Sequence, residues 1–577
     1  MDKRRLLAAT LLLLAAGVAS PRPTEPPRYV IEDHLVIHLP DGATLAGVMV
    51  RPAGVTARRP AALQFTIYAQ PAVDIARMKY AADRGYVAIT AYSRGKAWSP
   101  QTVAPYEFDG RDAASVIGWI GRQPWSNGKV GMYGGSYNGF TQWAAAKWMP
   151  PALKTMVPYV AENPGNGLPM QNNIFLLVNY PWIYYVTDNK FLDDSAYGDR
   201  TLRSLNDRWY ASGTSYENVD ALASRPNPWL RKWLQHQSYD GYWQSMLPFR
   251  GDFARINIPV LAITGYYDDG QVSALGFFRD LYAYNRDANA YLVIGPWDHL
   301  GSQHAVKDAI LRGYRIDPAA QLSTPKLTFD WFDYVMRGAP RPSLVKDRIN
   351  FEVMGANRWG HAPSLERMTS STITFYLTNR HAGGSYYQLS PSQPAKPGSL
   401  HESVDFADRT TTNNNDSYPD PIVPKHPDLR SGYAFVTPPF EHAMTLSGSF
   451  TGTIRAIVNK RDMDYGLVLY QIQPDGKLFE LSYFIGRASY ARDMTRRRLL
   501  QPGIVESIPF ARSYLVSRYL AKGSRLLLTL DVNRNPFAEL NYGTGGDVAR
   551  EDIRDAKAPL RVDWRNDSFV QIPLTSN

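Results

Sequence analysis

The 577-residue chain contains no cysteine. Disulfides, thiolate metal sites and a lipid-bearing N-terminal cysteine are therefore excluded. Beyond the first twenty residues, no segment reaches the ~18 uninterrupted apolar residues of a membrane-spanning helix. Histidine is scarce, at ten residues, and neither a His-Glu-x-x-His motif nor a histidine cluster occurs. No metal site is expected. Gly128-Lys129 has the wrong spacing for a phosphate-binding loop, and Val130 stands where Ser or Thr is needed. No cofactor is implied. Basic residues (63) outnumber acidic ones (53), but the densest run, Arg496-Arg497-Arg498, has no interleaved aromatics. It reads as a solvated face, and nucleic acid is not expected as a partner.

The N-terminus is distinctive. Lys3, Arg4 and Arg5 precede an apolar stretch from Leu6 to Val18, with small residues near Ala19. Residues 1–20 therefore read as a secretory signal, with an uncleaved anchor as the alternative. An exported protein without disulfides suits a bacterial periplasm or the medium. Residues 21–28 form a proline-rich linker.

Apolar runs then alternate with helix-like stretches. Ala62–Ile67, Tyr86–Ala91, Lys129–Met132, Thr155–Val160, Pro259–Thr264 and Ala290–Ile294 are nearly continuous in apolar residues. Such runs are expected of strands buried on both faces, in a parallel, doubly wound α/β sheet. Residues 29–160 and 251–347 are assigned to this domain. Residues 161–250 interrupt it with an aromatic-rich, helix-like insert containing Tyr180, Trp182, Tyr184, Tyr185, Trp209, Trp229, Trp233 and Trp243. This predicts a helical cap, in which most single aromatics serve as core. From 348 to 577 short alternating runs, such as Ile373, Phe375 and Leu377 or Ile454, Ala456 and Val458, predict an all-β sandwich. Residues 391–430, rich in Pro, Ser, Asn and Asp, read as a long connection across it.

The chemistry centres on Lys129-Val-Gly-Met-Tyr-Gly-Gly-Ser136-Tyr-Asn-Gly-Phe140. A buried strand runs through glycines to a serine and then into a helix, as a nucleophile elbow requires. The amide of Tyr137 would point from the helix N-terminus and could stabilise an oxyanion. The usual G-x-S-x-G is altered, with the last glycine displaced by one position. A serine nucleophile needs an imidazole and an acid to orient it. His299 follows the strand ending at Ile294, and Asp268 and Asp269 follow the strand ending at Thr264. Both places lie at strand C-terminal ends, where sites of open α/β sheets form. His304 is the second candidate base. The resulting order, Ser, Asp, His, is that of α/β-hydrolases.

These segments resemble the cocaine esterase-like hydrolases, grouped with X-Pro dipeptidyl-peptidases, glutaryl-7-aminocephalosporanic acid acylases and α-amino-acid ester hydrolases. Gln123-Pro-Trp-Ser-Asn-Gly-Lys-Val-Gly-Met132 leads into the elbow as in that family, and G-x-S-Y-x-G is its form of the serine motif. Gly265-Tyr-Tyr-Asp268 resembles its G-W-Y-D, which favours Asp268 over Asp269 as the acid. Gly295-Pro-Trp-Asp-His299 resembles its G-P-W-x-H. Asp462-Met-Asp464, Pro474-Asp-Gly476 and Asn541-Tyr-Gly-Thr-Gly545 resemble its jelly-roll domain. The resemblance implies an α/β-hydrolase fold with an inserted helical cap and a C-terminal jelly-roll sandwich. It also implies a second oxyanion donor, Tyr68 in Phe65-Thr66-Ile67-Tyr68, although Ile67 replaces the family's proline. The family's D-x-R-G lacks its aspartate here, since Tyr92-Ser93-Arg94-Gly95 stands in its place.

The expected activity is hydrolysis of a small-molecule ester or amide through Ser136, Asp268 and His299. Tyr267, Asp269, Trp182 and Tyr185 are candidate pocket residues. The α-amino-acid ester hydrolases hold a substrate ammonium with acidic residues beyond the triad aspartate. Gly270 and Gln271 occupy those positions, so recognition of a free amine is not expected. An Xaa-Pro dipeptidyl-peptidase, a β-lactam acylase and a binding protein on a hydrolase scaffold remain as alternatives, and a homo-oligomer is left open.

Overall fold

The computed structural model describes residues 28–177, 180–307, 309–413 and 421–576. The expected secretory signal lies outside the described residues. One sheet contains ten strands: β1 (Tyr29–His38), β2 (Thr44–Pro52), β3 (Arg59–Thr66), β4 (Val87–Tyr92), β5 (Ser126–Gly135), β6 (Leu153–Tyr159), β7 (Val260–Tyr267), β8 (Ala290–Asp298), β9 (Ile349–Val353) and β10 (Arg358–Ala362). Their spatial order is β1-β2-β4-β3-β5-β6-β7-β8-β9-β10. The run from β4 through β3 to β9 is parallel, and β1-β2, β2-β4 and β9-β10 are antiparallel.

The strands read from apolar runs fall in β3 to β8. β4 and β7 are buried along their whole length, because helices cover both faces. The principal helices are α1 (Pro71–Asp83), α2 (Asp109–Gly121), α3 (Tyr137–Ala146), α4 (Tyr180–Thr187), α5 (Gln271–Tyr284) and α6 (Thr324–Arg337). In α6, Phe329, Trp331, Phe332 and Met336 face the sheet. Ser323 caps its start by accepting from Lys326 N at 3.3 Å, and Gly338, at φ 77°, ends it in the left-handed region.

Two differences from the sequence expectation concern the edges. β1 and β2 were not among the predicted strands. β1 exposes Glu32, Asp33 and His34 around a register shift, so no apolar run marks it. At the other edge, β9 and β10 carry the sheet past the expected division at 347/348.

Between β6 and β7 the chain leaves the sheet and forms short helices, α4 among them. Trp209, Trp233 and Trp243 are wholly buried there and act as packing residues. Past β10 the regular elements among the described residues are strands, with only short 3-10 turns between them. Its larger sheet has eleven strands, and a smaller one has three. Thr451–Val458 alternates strictly between half-buried and buried residues. The predicted long connection hides a strand, Ser399–Val404, paired antiparallel with Leu560–Arg565. Its inward residues are Leu400, Glu402 and Val404, so a buried acid interrupts the apolar alternation. A continuous apolar cluster joins the α/β sheet, the insert and the all-β region.

Candidate active site

β5 ends at Gly135, and the chain turns through Ser136 directly into α3. Ser136 has φ 61° and ψ −125°. A positive φ is unfavourable for a residue with a Cβ and persists only where the surroundings impose it, at about 1–3 kcal/mol. Here the backbone is held on both sides. Ser136 N donates to Tyr159 O at 3.1 Å, and Glu162 N donates to Ser136 O at 3.3 Å. The displaced glycine of the motif has a packing reason. A Cβ on Gly139 would come within 2.7 Å of Ala161 Cα and 2.8 Å of Tyr159 O. Only glycine lets α3 lie this close to the chain leaving β6.

His299 follows β8, and its Nδ1 is 2.8 Å from Asp268 Oδ1. Asp268, in the turn after β7, is fully buried. It also accepts from Thr264 Oγ1 at 2.6 Å and from Gly270 N at 2.9 Å. Asp269 Oδ1 is farther from His299 Nδ1, at 3.3 Å, and Asp269 lines a cavity of about 910 Å³. Ser136, Tyr68, Glu162, Trp182, Tyr185 and His299 line the same cavity. The imidazole thus turns one nitrogen to a buried, hydrogen-bonded acid and leaves Nε2 for the cavity.

Tyr68 follows β3. Trp182 Nε1 donates to its hydroxyl at 3.0 Å, so the insert aims the phenol. Burial, reinforced by Glu162, raises the Tyr68 pKa well above that of free tyrosine. The phenol therefore stays protonated and can donate. The Tyr137 amide lies in the first turn of α3, where helical N–H groups have no intrahelical acceptor. The Tyr137 side chain points the other way, and its hydroxyl donates to buried Asp109 at 2.7 Å.

The structure separates some candidates. Tyr267 does not line the cavity; its hydroxyl donates to Glu480 O in the all-β region at 3.0 Å. His304 is exposed and lies away from the cavity. Gln271 is buried against Leu515 and likewise does not line it.

One site residue went unrecognised in the sequence. Glu162 lies just past β6, at the same edge of the sheet as Ser136, Asp268 and His299. Its carboxylate accepts from Ser136 Oγ at 3.0 Å through Oε1 and from Tyr106 OH at 2.8 Å through Oε2. Among the described residues no hydrogen bond joins Ser136 to His299. Asp74 and Asp269 also line the cavity, so acidic groups reach it although none stands at positions 270 and 271. The carboxylates come from separated segments, so a motif confined to the residues after Asp268 does not reveal them.

Charge is finely balanced in this space. Burial raises the Glu162 pKa, partly offset by Tyr106, His299 and Ser136. Burial also raises Asp268, against the opposing pull of His299. Burial opposes a charged His299, but Asp269 and Asp268 outweigh it and hold the imidazole pKa well above its ordinary value. Asp268, Asp269 and His299 offer ligand atoms within 4.8 Å of one another, a spacing that could hold an ion. The donors already on Asp268, from Thr264, Gly270 and His299, instead suit a carboxylate that orients an imidazole.

Residues 41–301 match the X-Pro dipeptidyl-peptidase (S15 family) domain, and residues 347–561 match the X-Pro dipeptidyl-peptidase C-terminal non-catalytic domain. The chain is a serine hydrolase of this family. The hydrolase is 24% identical over 558 residues to the cocaine esterase of Rhodococcus sp. (strain MB1 Bresler), covering 91% of this chain and 95% of that protein. Its fold is similar to that of an aminopeptidase from a marine sediment Thaumarchaeota archaeon, at TM-score 0.78 and 18% identity, covering 97% of this chain and 99% of the other. An α-amino acid ester hydrolase gives TM-score 0.75 at 21% identity, covering 97% and 100%. Among the described residues no helix is long and apolar enough to cross a membrane.

Proposed function

We propose that the hydrolase cleaves esters or amides of small molecules by two-step acyl transfer, with Ser136 as nucleophile, His299 as base and Asp268 as the orienting acid. The observation that carries this reading is the pairing of His299 Nδ1 with buried Asp268 at 2.8 Å beside a strained elbow serine in one cavity. Ser136 Oγ attacks the acyl carbon while its proton passes to His299 Nε2. The Tyr137 amide and the Tyr68 phenol hold the oxyanion. His299 then protonates the leaving group, and the same imidazole later takes a proton from the water that releases the acid. For the first step, the Ser136 hydroxyl must turn from Glu162 to His299.

The carboxylates favour a particular substrate within this class. Glu162 and Asp269 flank the reacting region, so an ester or amide with an ammonium near the acyl carbonyl would find partners there. This moves the preference towards aminoacyl esters and peptide N-termini, and away from uncharged esters. In the same reading, the helical insert acts as a cap that brings Trp182 and Tyr185 over Ser136. The all-β region is a jelly-roll sandwich that begins past β10, the α/β domain is 29–160 with 251–347 extended through β9 and β10, the cap is 161–250, and residues 1–20 direct export.

A fluorophosphonate probe tests the chemistry. Labelling at Ser136, abolished in Ser136→Ala, is the expected result; an unlabelled wild-type chain that hydrolyses no ester would refute it and favour a binding protein. A panel of aryl esters, amino-acid esters, β-lactams and Xaa-Pro amides then ranks the acyl groups.

A further inference from the structure

The loop that carries both aspartates does not stand alone on its sheet. Asp268–Gly270 joins the end of β7 to α5, and the first residue of α5, Gln271, is fully buried. Its Nε2 donates to Gly265 O at 2.9 Å, near the end of β7, and to Leu515 O at 3.0 Å, in the all-β region. Its Oε1 accepts from Leu515 N at 2.6 Å. One amide therefore completes the backbone pairing of two distant segments, as a strand neighbour would. Next to it, Tyr514 OH donates to Asp269 O at 2.8 Å. The Tyr514 ring is stacked on Tyr483 with centroids 4.1 Å apart, and Tyr514 N donates to Tyr483 O at 3.1 Å. On the far side of the loop, Tyr267 OH reaches Glu480 O at 3.0 Å.

We propose that the all-β region acts in catalysis by clasping the acid loop, with Tyr514 and Gln271 as positioning residues that keep Asp268 and Asp269 aimed at His299. This deepens the acyl-transfer reading and rests on it. The physical argument is one of rigidity. The turn is short and ends in Gly270, whose backbone is intrinsically permissive. Thr264 Oγ1 and Gly270 N hold the Asp268 carboxylate within the turn, but nothing in the turn alone fixes where its backbone sits relative to His299. Hydrogen bonds to its backbone from a separate, rigid sheet do so, and a misplacement of about 1 Å at a reacting group can reduce the rate by about a hundredfold.

The test uses the full chain and Tyr514→Phe, which removes one hydroxyl and keeps the stack on Tyr483. With an aryl ester, kcat is expected to fall about tenfold and KM to stay within about twofold, as for a loss of aim and not of binding. The charged groups facing His299 are Asp268, Asp269 and Glu162. Loosening the first two weakens their support of the imidazolium, so the acid limb of kcat/KM should move to lower pH. Unchanged kcat in a variant that melts like wild type overturns the proposal. So does a fall in kcat with an unmoved acid limb, which would mark a merely structural role. Should Tyr514→Phe fail to fold, Tyr483→Leu, which removes the stack and spares the hydroxyl, is judged by the same two readouts. Nitrogen-15 histidine spectra supply a readout that needs no turnover. The low-field His299 Nδ1 proton should move upfield in Tyr514→Phe, and an unmoved resonance overturns the clasp. A wild-type chain that shows this resonance yet resists the fluorophosphonate would instead refute the acyl-transfer reading.

Discussion

Replacing Glu162 with glutamine separates the charge of the cavity from its shape. The amide is isosteric; its oxygen can still accept from Ser136, held at 3.0 Å, while its NH2 takes the place of the other oxygen and donates to the Tyr106 hydroxyl, held at 2.8 Å. What disappears is the negative charge available to a substrate ammonium. A hydrogen bond involving a charged group contributes about 1.5–3 kcal/mol, against about 0.5–1.5 for a neutral one. At 1.4 kcal/mol per factor of ten, the difference of about 1–1.5 kcal/mol amounts to roughly 5- to 12-fold in kcat/KM. Asp269 lies in the same cavity and retains part of the attraction, which favours the lower end of that range. The assay compares alanine p-nitrophenyl ester with propionate p-nitrophenyl ester, which differ by the ammonium alone. Glu162→Gln should lose its activity selectively on the first. On the second it should hold or gain, because a weaker acceptor competes less with His299 for the Ser136 proton. The melting temperature should hold or rise, since burial already disfavours the charged form of Glu162. Equal losses on both esters, or none on either, would show that the carboxylate has no part in reading charge.

Ser136→Ala should lower kcat by about four to six orders of magnitude while the melting curve stays in place, measured with any substrate the panel yields. Tyr68→Phe removes one oxyanion donor and should lower kcat about 100- to 1000-fold with KM within about threefold. Asp269→Asn takes away the leading support of the His299 positive charge. The imidazole must be neutral to accept the Ser136 proton, so the acid limb of kcat/KM should shift to lower pH, as a pH–rate profile would show. Arg487 is fully buried, donating to Asp464 at 2.9 Å and to Glu539 at 2.8 Å. Arg487→Met strands two buried acids and should destabilise the fold by about 3–5 kcal/mol in denaturant unfolding.

Much of the fold was legible because burial on both faces writes itself into a strand. The runs that became β3 to β8 are apolar almost without interruption, and the insert announced itself by breaking their rhythm. Among the elements that escaped, two lack a uniformly apolar pattern. β1 bends around exposed Glu32 and Asp33, and Ser399–Val404 buries Glu402, whose carboxylate accepts from Trp564 Nε1 at 2.7 Å. A buried acid satisfied by a partner far along the chain looks like a surface acid until that partner is known.

The site divides in the same way. The sequence by itself determined the elbow serine, its displaced glycine and the imidazole and acid that could serve it, because each belongs to a short segment whose local geometry requires those residues. Local spacing left Asp268 and Asp269 as alternatives, and the likeness of Gly265-Tyr-Tyr-Asp268 to the family motif favoured Asp268. Tertiary structure gives the physical ground, placing Asp268 against His299 Nδ1, Thr264 and Gly270 and turning Asp269 to the cavity. It alone brought Glu162 to Ser136, sent Tyr267 into the all-β region, and closed Gln271 onto Leu515. These contacts join residues 26, 213 and 244 positions apart. Local pattern carries no trace of such meetings, because the energy that fixes them comes from packing elements whose order in space differs from their order in the chain.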